Sequence, residues 1–244
     1  MKRIALIPAR KGSKRIKNKN IKLLNGHPLI AYTIIAAKKS KLFDKIFVVT
    51  DSKEYMDISL KYGADKFKLR PSKTSLSDSP DISWLLWFSK VYKNFSKLQY
   101  VSILRPTSPF RNANTIKRAH KKFIKSITII DSLRAVSKSH IHPGKMWIDK
   151  DELILPLLPF YKKDGTPWHS SQTNTLPLIY YQNASLEIIK PSTILKKKSL
   201  SGNIVKPFYS KNYEGVDINT KLDFDFANFL LKSQKILQKL NVKL

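Results

Sequence analysis

Two rhythms of apolar residues alternate through the first half of this chain. Short unbroken runs, which read as buried strands, are followed by stretches in which apolar residues return every three or four positions, which read as helices. Residues 3–8 carry the first run, Ile4-Ala5-Leu6-Ile7. Pro28 opens a helix at its first position, with Leu29, Ile30, Ile34 and Ala37 on one face. Lys45-Ile46-Phe47-Val48-Val49-Thr50 is a second strand, ending at Asp51-Ser52, and Tyr55, Ile58 and Tyr62 mark the helix after it. Phe67 to Leu69 reads as a short third strand. Ser79-Pro80-Asp81 is a helix start, and Trp84, Trp87, Phe88, Val91, Tyr92 and Phe95 follow at helical spacing, an aromatic stripe suited to a core. Tyr100-Val101-Ser102-Ile103-Leu104 is the next strand, stopped by Arg105-Pro106, and a helix follows over about 113–125. Strand and helix in strict alternation predict the α/β class: parallel strands joined by right-handed crossovers.

The second half reads differently. Residues 126–137 and 177–189 are extended and β-rich, while 138–175 are rich in Pro, His, Gly and Ser with little period. We read this stretch as a loop or hairpin excursion from a single domain spanning 1–244. Leu222, Phe226, Phe229, Leu230, Leu237 and Leu240 predict a terminal amphipathic helix. No internal repeat is visible.

Composition narrows the classes. The 244 residues suffice for one α/β domain with a real core, and 42% apolar residues exclude a disordered chain. With no cysteine there is no disulfide framework and no thiolate nucleophile or metal site. No stretch approaches the roughly 18 apolar residues of a membrane span, and Met-Lys-Arg precedes only a short apolar run, so the expectation is a cytoplasmic protein without a membrane partner. The net charge of +29 attracts anions. Its densest tracts, Lys14 to Lys22 and Lys196-Lys197-Lys198, are not interleaved with a nucleic-acid motif, so no specific nucleic-acid partner is expected.

Ligands of open α/β sheets sit beyond the carboxyl ends of the strands. Four segments fall there: Pro8–Asn20, Thr50-Asp51, Arg105–Arg111 and Gly215–Asn219. The first contains neither the P-loop nor the dinucleotide glycine pattern. Its Gly12-Ser13 turn, flanked by Arg10, Lys14 and Lys19, suits a triphosphate or a merely solvated surface. Asp217 suits Mg²⁺ held beside phosphates, or a helix cap. His140, His142 and His169 lack a defined zinc spacing.

Taken in order, Ile7-Pro8-Ala9-Arg10-Lys11-Gly12-Ser13-Lys14 with Lys19-Asn20, then Val49-Thr50-Asp51, Leu104-Arg105-Pro106-Thr107-Ser108-Pro109-Phe110-Arg111, Asn183-Ala184 and Val216-Asp217-Ile218-Asn219, resemble the acylneuraminate cytidylyltransferases, the CMP-sialic acid synthetases. The resemblance covers nearly the whole chain. It implies a Rossmann-like nucleotidyltransferase fold of the glycosyltransferase-A type, with a mainly parallel central sheet, helices on both faces, and a homodimer in which the excursion reaches the partner's site. The implied reaction joins CTP to an acidic nine-carbon sugar with Mg²⁺ (or Mn²⁺), giving a CMP-sugar and pyrophosphate. By the same resemblance Arg10 and Lys19 act as catalytic cations. Ala9, Arg10, Gly12, Ser13, Lys14, Asn20 and Arg70 bind the nucleotide. Arg105, Thr107, Ser108 and Asn183 bind the sugar, and Asp217 and Asn219 hold the metal.

Two positions depart from the family. Arg105 stands where Gln is common, and either grips the sugar carboxylate through paired hydrogen bonds or changes which sugar fits. Asn219 stands where a second metal carboxylate is common. The alternatives are another sugar nucleotidyltransferase, such as one for the eight-carbon acid Kdo, and a basic nucleic-acid-binding protein whose affinity falls steeply with salt.

Overall fold

A computed structural model describes residues 2–76 and 78–233. Strand β1 (Arg3–Pro8) leads into a long loop, a short ladder of β2 (Leu23–Leu24) and β3 (His27–Pro28), and helix α1 (Leu29–Ser40). Then come β4 (Lys45–Val49), α2 (Lys53–Lys61), α3 (Asp81–Val91), β5 (Tyr100–Leu104), α4 (Ala113–Ile124) and β6 (Ser132–Lys138). The hairpin β7 (Trp147–Lys150) and β8 (Leu153–Pro156) follows, then β9 (Tyr180–Ile189), α5 (Pro191–Lys197), β10 (Val205–Tyr209) and α6 (Lys221–Lys232).

Six strands form one sheet in the order β10-β6-β9-β5-β1-β4. Neighbours run parallel except at β9, which is antiparallel to both β5 and β6. Side chains alternate across β1, so each sheet face has its own core. Ala5 and Ile7 pack with Ile30 and Ile34 of α1 and Ile116 and Phe123 of α4. Ile4 and Leu6 pack on the other face with Trp84, Leu85 and Phe88 of α3 and Ile194 of α5. A third cluster joins Ile16 of the first loop, Phe110, Ile218, and Phe224, Ala227 and Leu230 of α6. That cluster brings the segment before α6 against the loop after β1, two parts of the chain some two hundred residues apart.

Several expectations need correction. Residues 67–69 form no strand; the sole pairing nearby is an isolated parallel bridge between Phe47 and Asp65. The Phe67 ring instead lies 4.6 Å from Phe88 and 5.0 Å from Phe47, so it joins the aromatic layer under α3. Pro28 caps α1 rather than occupying its first turn. The first residues of the 126–137 run are turns, and β6 begins only at Ser132. The buried face of α6 is Phe224, Ala227, Leu230 and Leu231, whereas Leu222, Phe226 and Phe229 are exposed. Leu237 and Leu240 lie outside the described residues. Helix α5, strand β10 and the antiparallel direction of β9 were not anticipated.

Candidate nucleotide site

The carboxyl ends of β1 and β5 and the segment before α6 surround a cleft of about 550 Å³. Three hydrogen bonds tie its walls together. The side-chain amide of Asn20 donates to the Arg10 carbonyl at 3.1 Å and closes the first loop on itself. Lys19 Nζ donates to the Ile218 carbonyl at 2.7 Å and joins that loop to the segment before α6. The Ile218 amide donates to the Thr107 carbonyl at 2.8 Å and joins this segment in turn to the loop after β5. A capping box, in which Thr220 and Asp223 satisfy each other's backbone amides, starts α6 immediately afterwards. Gly215 meets a close approach here: a Cβ would stand 2.4 Å from Ser137 Oγ.

Of the residues singled out from the sequence, the cleft brings together Arg10, Ser13, Lys14, Lys19, Asn20, Arg70, Arg105, Thr107, Asp217 and Asn219. Four do not line it. Ala9 is buried, its amide donating to the Val49 carbonyl at 3.0 Å, and Gly12 sits on the outer turn of the loop with open space where a Cβ would go. Ser108 is buried beneath the cleft. Asn183 is buried as well, donating 2.8 Å hydrogen bonds to the hydroxyls of Ser137 and Ser210, and so braces the wall behind Gly215. Its neighbour Ala184 does line the cleft, in a β-bulge at φ 56, a left-handed position where glycine is the unstrained residue.

The cleft is strongly cationic, and burial acts on its charges. Burial lowers the Lys19 pKa from the ordinary lysine value, partly offset by Asp217. Arg70 is buried with its Nε unpartnered, and desolvation lowers its pKa against the pull of Asp51 and Asp81. Arg105 Nη2 donates to Asp81 at 2.7 Å and to Glu187 at 3.2 Å. Desolvation opposes the Arg105 charge, but Glu187 and Asp81 outweigh it and raise its pKa. Arg134 also reaches Glu187, at 3.4 Å, so two guanidiniums and two carboxylates form one neutral group. Below this floor Arg111 is fully buried, with no carboxylate partner among the described residues. It donates to the carbonyls of Arg105 and Ser185 and, at 2.7 Å, to Thr33 Oγ1. Burial alone lowers its pKa, to about 9.

Among the described residues, Asp217 is the one carboxylate in the cleft not paired with a cation at salt-bridge distance. Its Oδ2 accepts from the Asn219 amide at 2.5 Å, and its Oδ1 is buried without a partner. An orphaned carboxylate oxygen on a residue that lines the cleft suits a divalent ion. Among the described residues no three His, Asp or Glu side chains gather around a possible metal position, so such an ion would draw its other ligands from phosphate and water. Away from the cleft, His142 accepts from the Gly144 amide at 3.0 Å and meets the Pro177 carbonyl at 3.1 Å, a turn-forming role.

Arg15, Ile16, Asp81 and Ala184 also line the cleft, and the sequence alone did not single them out as site residues. Arg15 adjoins Lys14 in the cationic loop and was open to notice. Asp81 announced only a helix start, because its partner Arg105 is distant in sequence.

A cation-lined cleft at the carboxyl edge of a doubly wound sheet, with one free carboxylate, defines a nucleotide-handling α/β protein. The family profile described as cytidylyltransferase matches residues 4–129. An N-acylneuraminate cytidylyltransferase from Escherichia coli is 30% identical, the match covering 98% of this chain and 54% of that protein. A CMP-N,N'-diacetyllegionaminic acid synthase from Legionella pneumophila is 36% identical, over 95% of this chain and 97% of that protein. This chain therefore spans about half the length of the first relative and nearly all of the second. Among solved structures, a CMP:2-keto-3-deoxy-manno-octonic acid synthetase complexed with CTP superposes with a TM-score of 0.70 at 11% identity, over 96% of this chain and 100% of that one. A 4-diphosphocytidyl-2C-methyl-D-erythritol synthase from Anaerococcus prevotii superposes with a TM-score of 0.61 at 16% identity, over 95% of this chain and 98% of that one. These two likenesses establish the nucleotidyltransferase fold. The chain belongs to the cytidylyltransferase family.

Proposed function

We propose that this protein transfers a cytidylyl group from CTP to a nonulosonic acid, a nine-carbon α-keto acid sugar, releasing pyrophosphate. The observation that carries this reading is the Lys19 to Ile218 hydrogen bond at 2.7 Å, which gathers the loop cations and Asp217 around one cavity. The match to a legionaminic acid synthase along nearly its full length supports the sugar class.

In the reaction the anomeric C2 hydroxyl attacks the α-phosphorus. A phosphorus–oxygen bond forms as the bond to the bridging oxygen breaks, pyrophosphate leaves with that electron pair, and the hydroxyl proton passes to solvent. Phosphoryl chemistry of this kind depends on positioning and charge neutralisation. Arg10, Lys14 and Lys19 neutralise the phosphates, Ser13 and Asn20 shape the loop that receives them, and Arg70, which lines the same cleft, is assigned to the cytosine by the family resemblance. Asp217 would hold Mg²⁺ (or Mn²⁺), which when bound supplies further positive charge and lowers the pKa of a coordinated hydroxyl. The oxygen of Asn219 already accepts from Arg15 at 3.1 Å, which leaves Asp217 as the principal protein ligand. Arg105 and Thr107 also line the cleft, and the reading assigns them to the acceptor. Because Arg105 Nη2 is shared by two carboxylates, it sets the shape and polarity of its part of the cleft and is not a free carboxylate grip. A homodimer, formed through the exposed hairpin, and a cytoplasmic setting with access to CTP complete the reading.

Pyrophosphate release tests it, with CTP, UTP, GTP and ATP each offered against sialic, legionaminic and pseudaminic acids, Kdo and sugar phosphates. Turnover with CTP and a nine-carbon acid is expected. Turnover with UTP or GTP and a sugar phosphate, and none with CTP, rejects the reading; CTP with Kdo as the sole productive pair replaces the acceptor.

A further inference from the structure

Arg15 lies midway along the first loop, lines the same cavity as Lys14 and Lys19, and donates from Nη2 to Oδ1 of Asn219 at 3.1 Å. The other end of that amide is committed too, since Nδ2 donates to Asp217 Oδ2 at 2.5 Å. Asn219 is therefore clamped between a cation and a carboxylate, its oxygen turned to the cation. An aspartate at this position would set two carboxylates against each other at the same contact, a repulsion relieved by a cation bound between them. The amide removes that repulsion and with it one source of metal affinity. The charge balance of the cleft points the same way. Six cations line it, Arg10, Lys14, Arg15, Lys19, Arg70 and Arg105, against two carboxylates, Asp81 and Asp217. The excess of positive charge approaches what a free nucleoside triphosphate brings.

We propose that Arg15 is a further phosphate-binding residue, and that the Arg15–Asn219 pair sets a fixed cation beside Asp217, so that a nucleoside triphosphate enters this cleft without needing a divalent ion. When a phosphate arrives, the Arg15 guanidinium exchanges a neutral amide acceptor for an anionic one, and its planar fork can hold two phosphate oxygens at once. An ion held by Asp217 would then be needed after binding and not for it. This inference rests on the CTP reading above.

The test is calorimetric titration of CTP into wild type, Arg15→Ala, Arg15→Lys and Asn219→Asp, each with EDTA and with Mg²⁺, together with Mn²⁺ titration in the absence of nucleotide. Wild type is expected to bind CTP in EDTA with the same order of affinity as in Mg²⁺. Arg15→Ala loses about tenfold or more in EDTA, the worth of one charge-assisted hydrogen bond, and less in Mg²⁺. Arg15→Lys recovers part of the loss. Asn219→Asp binds Mn²⁺ alone more tightly than wild type and makes CTP binding depend on metal. Arg15→Ala that binds like wild type in EDTA, or wild-type binding that disappears in EDTA, overturns the inference and leaves the CTP reading standing. Wild type that binds no CTP under either condition overturns both.

Discussion

Lys19 serves two ends at once. Its ammonium holds two distant segments together through the Ile218 carbonyl, and in the proposed reaction it would supply charge to the phosphates. Burial favours its neutral form, so its pKa lies below that of an ordinary lysine, about 10.4. The charged form is the one that binds phosphate, and it is lost as pH rises through the lowered pKa. The alkaline limb of kcat/KM for CTP, which reports the free enzyme, should therefore fall earlier than an unperturbed lysine allows. Lys19→Arg should push that limb to higher pH, and Lys19→Ala should cost about a hundredfold or more in kcat. An unshifted limb in the arginine variant would remove Lys19 from the phosphate contact. At this scale the sequence was legible where charge chemistry is local: Arg10, Lys14 and Lys19 of the first loop line one cleft with Asp217, while Lys11 turns away to Glu54. It was silent on direction. Ser108 and Asn183 sit inside motifs of the resemblance, yet they are turned inward, one buried beneath the cleft and the other tied to Ser137 and Ser210. The Asp81–Arg105–Glu187–Arg134 group joins α3, the end of β5, β9 and β6, and no spacing in the chain signals such a meeting.

Among the elements, the hairpin of β7 and β8 leaves most of its apolar side chains uncovered, although the Trp147 ring lies 5.0 Å from His169. Trp147, Ile148, Leu153, Ile154 and Leu155 are all exposed, and Leu153 keeps 70% of its surface. Apolar side chains exposed along a two-stranded ribbon, itself marginal in water, want a covering surface. If a second copy supplies it, Ile154→Glu should convert a dimer to a monomer by light scattering while leaving the circular dichroism spectrum of the fold unchanged. A wild-type protein already monomeric at high concentration would contradict this. The hairpin's existence was half legible, since aperiodic Pro, His, Gly and Ser around short apolar runs signal an excursion. The error at residues 67–69 has the opposite cause. Apolar residues alternating with lysines imitate a strand, but tilted ring packing of Phe67 against Phe47 and Phe88 holds that segment without a ladder.

At the scale of the whole molecule, the sheet order decides where chemistry is possible. With β1 one strand in from the β4 edge and β5 beside it, their carboxyl ends open side by side, and β9 brings its bulge at Ala184 to the same cleft. Parallel strands with buried faces announce themselves as unbroken apolar runs, which is why β1, β4 and β5 were readable from sequence. An antiparallel strand entering between β5 and β6 leaves no such mark, because direction depends on where the chain has travelled after the excursion. The net charge of +29 becomes intelligible here in part: six of the cations line one cleft, where the proposed reaction would bring an anionic nucleotide.

The most direct measurement is a crystal structure with CTP and Mg²⁺ added. The account predicts the triphosphate between β1 and α6, within hydrogen-bond reach of Arg10 and Lys19, with Asp217 beside the ion. Nucleotide bound instead at the opposite end of the sheet, near Lys2 and Lys97, with the cleft between Lys19 and Ile218 left empty, would contradict it.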